Sequence, residues 1–255
     1  MGTKKTLRLL LDMDGVLNDL LGHWLRQIEL RYGVQVRYED VRDWSVHRAQ
    51  PIVDAGLKAA DIYDPFFKDP TFWSHAWAMP GARDFIQALR EREAGQRGAS
   101  RTPYNFVDLE FYVVTTPSGS ECTKQKLDWL ERAFPGSVAG APVGPDSVLN
   151  GKGVVTNVPA GMKTVITAHK ELIRGDILVD DRAQNCRTWL EANPKALALL
   201  PSYAYTLTDL AMKPLSEYRH RILSNPVTYG STFFQEVLAL VDDALDQAEA
   251  EAVSG

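Results

Sequence analysis

The chain has 255 residues, of which 45% are hydrophobic and 24% are charged, and its formal net charge is −5. This is an ordinary globular composition, and the acidic balance disfavours a nucleic-acid polymer as partner. No apolar run approaches membrane-spanning length, and Cys122 and Cys186 lie far apart without zinc-ligand spacing. We therefore expect a soluble, cytoplasmic protein with reduced thiols.

The first predicted element is an apolar run at residues 7–11, which leads directly into Asp12, Met13, Asp14 and Gly15. A run of this kind is typical of a strand that is buried on both faces in a parallel sheet. Strand side chains alternate, so Asp12 and Asp14 should share a face. Two carboxylates at the carboxyl edge of a buried strand are costly unless a cation or a reaction uses them. Ligands also bind at that edge. We therefore expect a metal-dependent site.

The next segment has a sequence pattern typical of helices and not of strands. Residues 18–32 have apolar positions at helical spacing, and Gly33 is a good stop for that helix. Residues 34–80 are rich in aromatic residues and prolines and show no sustained alternation, which favours short helices. We predict that residues 20–80 form a small helical cap, inserted after the first strand and lying above the sheet edge.

The rest of the chain alternates strands with helices. Strands are predicted at residues 109–116, 163–167, 177–182 and 196–200, and helices at 81–92, 120–134, 183–192 and 231–250. This alternation predicts an α/β fold with a doubly wound, mostly parallel sheet, built from residues 1–19 and 81–255. Residues 137–162 are rich in Gly, Pro and Val, and predict a hairpin or loop insertion with a turn at Asn150-Gly151.

Polar residues follow four of these strands. In chain order they are Asp12 and Asp14, Thr115 and Thr116, Lys170, and Asp180 and Asp181. The carboxyl ends of parallel strands meet at one edge, where so many carboxylates would repel each other without a hard cation such as Mg²⁺. A lysine and hydroxyl groups beside them would suit the oxygens of a phosphoryl group. The set contains the parts that phosphoryl transfer needs.

These motifs resemble the haloacid dehalogenase-like phosphohydrolases, and within them the 5′(3′)-deoxyribonucleotidases. The supporting stretches are LLLDMDGVLND, PTFW…MPGA, VVTTP, KLDWLERAFPG and KELIRGDILVDDR, which span roughly residues 7–190. The resemblance implies a Mg²⁺-dependent phosphatase that hydrolyses (deoxy)nucleoside 5′-monophosphates through an aspartyl-phosphate, with a Rossmann-like core of that superfamily.

The resemblance also implies roles for individual residues. Asp12 would be the nucleophile and Asp14 the acid and base. Mg²⁺ would be held by Asp12, the backbone carbonyl of Asp14 and Asp180, with Asp181 as a water-mediated ligand or an orienting group. Thr115, Lys170, and backbone amides around Met13 and Thr116 would bind phosphate. For the base we nominate Trp44, Phe72 and Trp73, since aromatic rings stack on nucleobases.

Several alternatives stay open. Aromatic residues in a small helical cap are more often its miniature core than a base-binding surface. The chain could instead be a phosphatase or phosphomutase for a non-nucleotide ester such as a sugar phosphate, or a nucleotide-binding protein without activity. A receiver domain is disfavoured, because its acidic pair precedes the phosphorylated aspartate. The sequence leaves a homodimer open, and fixes neither the base preference nor the role of residues 137–162.

Overall fold

The computed structural model describes residues 4–95, 106–135, 154–157 and 162–254, with the backbone alone for 154–157. Its strands are β1 (Lys5–Asp12), β2 (Asn18–Asp19), β3 (Trp77–Ala78), β4 (Val107–Thr115), β5 (Val154–Asn157), β6 (Lys163–Ile166), β7 (Ile177–Val179), β8 (Leu197–Pro201) and β9 (His220–Leu223). Its α-helices are α1 (Leu20–Tyr32), α2 (Gln50–Asp54), α3 (Ala59–Phe67), α4 (Ala82–Glu93), α5 (Ser120–Ala133), α6 (Ala183–Ala192), α7 (Ala204–Met212) and α8 (Pro226–Ser254).

Strand β1 lies at the centre of a seven-stranded sheet of order β5-β6-β4-β1-β7-β8-β9. All neighbouring pairs from β6 to β9 are parallel, and β5 runs antiparallel to β6. The predicted α/β class with a doubly wound, mostly parallel sheet is confirmed. Because parallel strands present their carboxyl ends together, the ends of β1, β4 and β7 meet at one edge.

Both faces of the sheet are covered, as the apolar run of β1 predicts. Leu9 and Leu11 are fully buried in a core that includes Phe233 and Val237 of α8. Leu10, on the other face, is buried with Trp189 of α6. Because side chains alternate along β1, this strand contributes residues to two separate hydrophobic cores, one on each face of the sheet. Packing on both faces holds β1 and the aspartates at its carboxyl end rigidly in the middle of the molecule.

The aromatic segment lies between two short strands, β2 and β3, which pair antiparallel at its base. Helix α1 begins where the Asp19 side chain accepts a hydrogen bond from the Gly22 amide, and it ends at Gly33, whose φ is 69°. Only short helices follow, α2 and α3 and single 3-10 turns at Tyr38–Asp40, Val46–Arg48 and Trp73–His75. We call residues 20–76 the cap.

The structure adds elements after β8 that the sequence pattern did not predict. Helix α7 and the edge strand β9 follow it, and α8 begins at Pro226 rather than at residue 231, with a non-helical residue at Tyr229. The proposed turn at Asn150-Gly151 lies outside the described residues. Among the residues that the structure describes, no helix has the length and apolar character to cross a membrane.

Candidate active site

Three buried aspartates meet at the carboxyl edge of the sheet. Asp12 ends β1, and Asp180 and Asp181 follow β7, its neighbour in the sheet. One carboxylate oxygen from each of the three lies within 4.8 Å of the others. Burial raises the pKa of Asp12 to about 7 against the opposing pull of Lys170, with Asp180 and Asp14 adding to the rise. Burial, Asp180 and Asp12 raise the pKa of Asp181 well above its ordinary value.

Lys170 bridges two of these carboxylates. Its ammonium lies 2.7 Å from Asp12 Oδ2 and 2.6 Å from Asp180 Oδ2, and the side chain is only 7% exposed. Burial alone would lower the pKa of Lys170, but the Asp12 and Asp180 carboxylates raise it above its ordinary value. Lys170 is therefore a charged group that offsets part of the repulsion within the triad.

Neighbouring groups fix the orientation of the second acidic pair. Asn185 donates to both oxygens of Asp180 at 3.0 and 3.1 Å. The Tyr205 hydroxyl donates to Asp181 Oδ2 at 2.5 Å, and the Thr206 hydroxyl donates to its backbone carbonyl at 2.6 Å. At Gly15, whose φ is +75°, an added Cβ would lie 2.4 Å from Asp181 Oδ2, so this approach requires glycine.

Asp14 lies beside the triad and has partners of its own. Lys126, on α5, donates to Asp14 Oδ2 at 2.6 Å, and Asn18 donates to Asp14 Oδ1 at 3.0 Å. Lys126 also donates to the Thr115 hydroxyl at 2.9 Å and to the Thr116 carbonyl at 2.7 Å. The ends of β1 and β4 are thus linked through one lysine.

A cleft of about 360 Å³ opens over these groups, between the sheet edge and the cap. Its floor carries carboxylates and ammonium groups, namely Asp12, Asp14, Asp181, Lys126 and Lys170. Its cap wall carries the aromatic residues Trp24, Trp44, Tyr63, Phe67 and Trp73. Arg182 also lines the cleft and lies 5.5 Å from the centre of the Trp44 ring. A polar floor below an aromatic wall suits a ligand with an anionic end and a flat apolar end.

Helix α5 forms hydrogen bonds with the cap beside this aromatic wall. The Gln125 side chain accepts from the Trp73 amide at 2.9 Å and donates to the Asp69 carbonyl at 3.1 Å. One turn later, the Trp129 indole donates to the Ala76 carbonyl at 2.7 Å. Helix α5 therefore holds the last stretch of the cap in place while presenting Lys126 to Asp14.

Most of the residues nominated from the sequence come together here. Trp44, Trp73 and Thr116 line the cleft with Asp12, Asp14, Asp181 and Lys170, and the fully buried Asp180 lies behind them. Phe72, also nominated for the base, does not line the cleft, because the residue is 3% exposed and its ring packs against His23, Trp24 and Phe66 in the core of the cap. Thr115 lies behind the cleft wall, 1% exposed, with its hydroxyl bonded to Lys126.

Sequence reasoning missed Lys126, Asn185 and Tyr205. A signal for Lys126 existed, because it lies on the buried stripe of α5, one turn from Cys122 and from Leu130. A lysine on an otherwise apolar helix face indicates a buried acidic partner. Tyr205 carries no comparable signal, since α7 itself was not predicted.

The aspartate triad has the donor set that Mg²⁺ selects. It consists of buried carboxylate oxygens, and beside it the described part of the chain places one ammonium group, that of Lys170. The donor chemistry of Asp12, Asp180 and Asp181 therefore fits a divalent cation. The Asp14 carboxylate is not one of the clustered groups.

Comparison with known proteins finds mitochondrial deoxyribonucleotidases among the relatives of this chain. The chain is 27% identical over 184 residues to the mitochondrial 5′(3′)-deoxyribonucleotidase of Homo sapiens and 27% identical over 186 residues to that of Mus musculus. These alignments cover 70% and 71% of the chain, but only 63% and 66% of the relatives. The chain thus spans less than two thirds of the length of these proteins.

A solved structure from Burkholderia xenovorans LB400, described as a haloacid dehalogenase-like hydrolase, can be superposed on this chain. The alignment covers 91% of this chain and 98% of that structure, with 13% sequence identity and a TM-score of 0.44.

The strongest assignment comes from a family model. The model of the 5′ nucleotidase, deoxy (pyrimidine), cytosolic type C protein family matches residues 5–142, which is more than half of the 255-residue chain. The match includes Asp12, Asp14 and Lys126, and it ends before Lys170 and the second acidic pair. The predicted resemblance to deoxyribonucleotidases is thereby confirmed, and the chain belongs to this family.

Proposed function

We propose that this chain is a Mg²⁺-dependent phosphatase that hydrolyses (deoxy)nucleoside 5′-monophosphates through an aspartyl-phosphate. The observation that carries the proposal is the triad of Asp12, Asp180 and Asp181, bridged by Lys170, at the floor of an aromatic cleft. Family membership and the names of the human and mouse relatives support the nucleotide as substrate.

In the first half of the reaction, an oxygen of Asp12 attacks phosphorus and the bond from phosphorus to the ester oxygen breaks. Asp14 gives its proton to the departing oxygen. In the second half, Asp14 takes a proton from water as the water attacks the aspartyl-phosphate, which releases phosphate and restores Asp12.

Asp12, Asp180 and Asp181 would hold Mg²⁺, with the Asp14 backbone carbonyl as the further ligand that the resemblance implies. When bound, Mg²⁺ supplies charge neutralisation for the phosphoryl oxygens. Lys170 and the Thr116 amide are the groups we assign to phosphate. Burial of Asp12 strips it of hydration, which favours its use as a nucleophile.

The test is phosphate release from a panel of nucleotides and sugar phosphates, with EDTA and with excess Mg²⁺. We expect release from deoxynucleoside or nucleoside 5′-monophosphates that stops in EDTA and returns with Mg²⁺. Activity that survives chelation contradicts the metal requirement. Preference for a sugar phosphate over every nucleotide contradicts the substrate, and conversion between isomers without phosphate release contradicts hydrolysis.

The role of the aromatic wall in binding the base can be tested separately. Trp44→Leu should raise KM for the preferred nucleotide about 10- to 100-fold, since base stacking on an aromatic ring contributes about 1–3 kcal/mol. Hydrolysis of glycerol 3-phosphate, which carries no ring, should keep its KM. Steady-state kinetics on both esters measures the difference.

Trp77→Leu is the matched control, because Trp77 is 51% exposed and is not among the residues that line the cleft. This variant should leave both KM values unchanged. An equal rise in KM for both esters in the Trp44→Leu variant would show that Trp44 shapes the cap without contacting a base.

A further inference from the structure

Lys126 is a buried lysine that the proposed reaction steps do not use. It lies on the inner face of α5 with a side chain only 3% exposed, and its ammonium lies 5.2 Å from the centre of the Trp73 ring. A lysine at such a position costs folding free energy unless its charge and its donors are matched. The groups that match them therefore indicate what Lys126 does.

Lys126 has three hydrogen-bond acceptors among the described residues. An ammonium has three N–H donors, and those of Lys126 have acceptors in Asp14 Oδ2 at 2.6 Å, the Thr115 hydroxyl at 2.9 Å and the Thr116 carbonyl at 2.7 Å. With each donor used in this way, none is left for a phosphate oxygen. This distinguishes Lys126 from Lys170, whose ammonium bridges Asp12, the proposed nucleophile, and Asp180, a proposed metal ligand.

Asp14 is held from both sides. Lys126 donates to one of its oxygens and the Asn18 amide donates to the other at 3.0 Å. The plane of the carboxylate is therefore defined by α5 on one side and by Asn18 of β2 on the other. The Asp14 side chain is 15% exposed, toward the cleft.

We propose that Lys126 is a positioning residue that, with Asn18, orients the Asp14 carboxylate toward the leaving oxygen of the substrate. This inference rests on the proposed function, in which Asp14 gives a proton to that oxygen as the bond to phosphorus breaks. Lys126 itself neither gains nor loses a proton and forms no bond to the substrate.

The effect of Lys126 on the rate should depend on the leaving group. A well-placed general acid contributes about 10²- to 10⁴-fold when the leaving group is a poor one, such as a nucleoside alkoxide. A p-nitrophenolate leaves without a proton. The kcat/KM value reports the steps up to departure of the leaving group. When Asp14 is misplaced, kcat/KM should therefore fall much more for the nucleoside ester than for the p-nitrophenyl ester.

The experiment compares wild type with Lys126→Met, using a nucleoside 5′-monophosphate and p-nitrophenyl phosphate. We expect kcat/KM for the nucleotide to fall by about 10²-fold, with a much smaller loss for p-nitrophenyl phosphate. Lys163→Met is the matched control, because Lys163 also pairs with a carboxylate, Glu93 at 2.8 Å, and lies over a ring, that of Tyr112 at 5.4 Å. It should keep both kcat/KM values.

Two further variants make the result independent of how well Lys126→Met folds. Asn18→Ala removes the other contact of Asp14 without removing a charge, and should show the same selective loss. In an Asp14→Asn background, Lys126→Met should cause no further loss of kcat/KM for the nucleotide, because the effects of two substitutions that act through one group are not additive.

Equal losses on both esters, or an additive double variant, would overturn the positioning role while leaving the proposed function intact. A wild-type protein that hydrolyses neither ester would overturn the proposed function and this inference together.

Discussion

Asp12→Asn is expected to abolish phosphate release, with a loss of at least about 10⁴-fold in kcat, because an amide does not replace a carboxylate nucleophile. Asp12 ends the central strand, and its Oδ1 accepts from the Met13 amide at 2.7 Å, a bond that asparagine can keep. The substitution also removes a buried charge, which burial already disfavours, as the raised pKa of Asp12 indicates. We therefore expect the free energy of unfolding to change by no more than about 2 kcal/mol.

The measurements are initial rates of phosphate release and urea unfolding of the same preparations. Asp176→Asn is the matched control, since Asp176 lies just before β7, at the opposite edge of the sheet, and accepts from the Arg8 amide at 2.7 Å. It should keep full activity. Full turnover by Asp12→Asn, at unchanged stability, would exclude an aspartyl-phosphate on this residue.

Lys170→Met should destabilise the protein more than Asp12→Asn does, by about 3–5 kcal/mol in the presence of EDTA. The lysine is 6% exposed and lies between Asp12 and Asp180, so its loss leaves buried carboxylates facing each other without a bridging cation. Activity should fall with it, because Lys170 is also the cation we assign to phosphate. Saturating Mg²⁺ should recover part of the lost stability, since a ligand that binds only the folded state stabilises it.

Urea unfolding of wild type and variant, each with EDTA and with Mg²⁺, measures both effects. The gain on adding Mg²⁺ should be larger for Lys170→Met than for wild type. Lys163→Met, which loses a partly exposed pair with Glu93, should cost about 1 kcal/mol and respond to Mg²⁺ as wild type does. An equal Mg²⁺ response in all three proteins would contradict a shared role of Lys170 and a cation in neutralising the triad.

The sheet was predictable because its strands carry strong local signals. The apolar runs that form β1, β4 and β7 end abruptly in polar residues, and that pattern is what a doubly buried strand requires. Strand β9 carries no such signal. It is a four-residue edge strand in which His220 is half-buried and Arg221 and Ile222 are exposed, and its composition is that of a surface segment. The start of α8 was missed because Gly230 interrupts the pattern there. Gly230 lies so close to Pro80 that an added Cβ would be 2.2 Å from its carbonyl oxygen.

The site was predictable only in part, for a physical reason. Residues that follow successive strands converge because the sheet topology brings strand ends together, so Asp12, Lys170 and Asp180 could be grouped from their order alone. Lys126 and Tyr205 come from the interior of a helix and from a helix start, and their approach depends on how helices pack. Phe72 and Trp73 are adjacent in sequence, yet one packs inside the cap and the other faces the cleft. Composition alone does not predict which of two adjacent aromatic residues faces the cleft and which packs inside the cap.

The charges at the sheet edge would couple the binding of the two proposed ligands, Mg²⁺ and the phosphate ester. Four carboxylates, on Asp12, Asp14, Asp180 and Asp181, lie with two ammonium groups, on Lys126 and Lys170, and with the Arg182 guanidinium at the cleft wall. The formal charge of this set is −1 when every group is ionised. A phosphate monoester dianion that entered without a cation would meet net repulsion from these carboxylates. A divalent cation would outweigh that negative charge and remove the repulsion. By reciprocity, the cation and the ester would each strengthen the binding of the other by the same factor, whichever of them binds first.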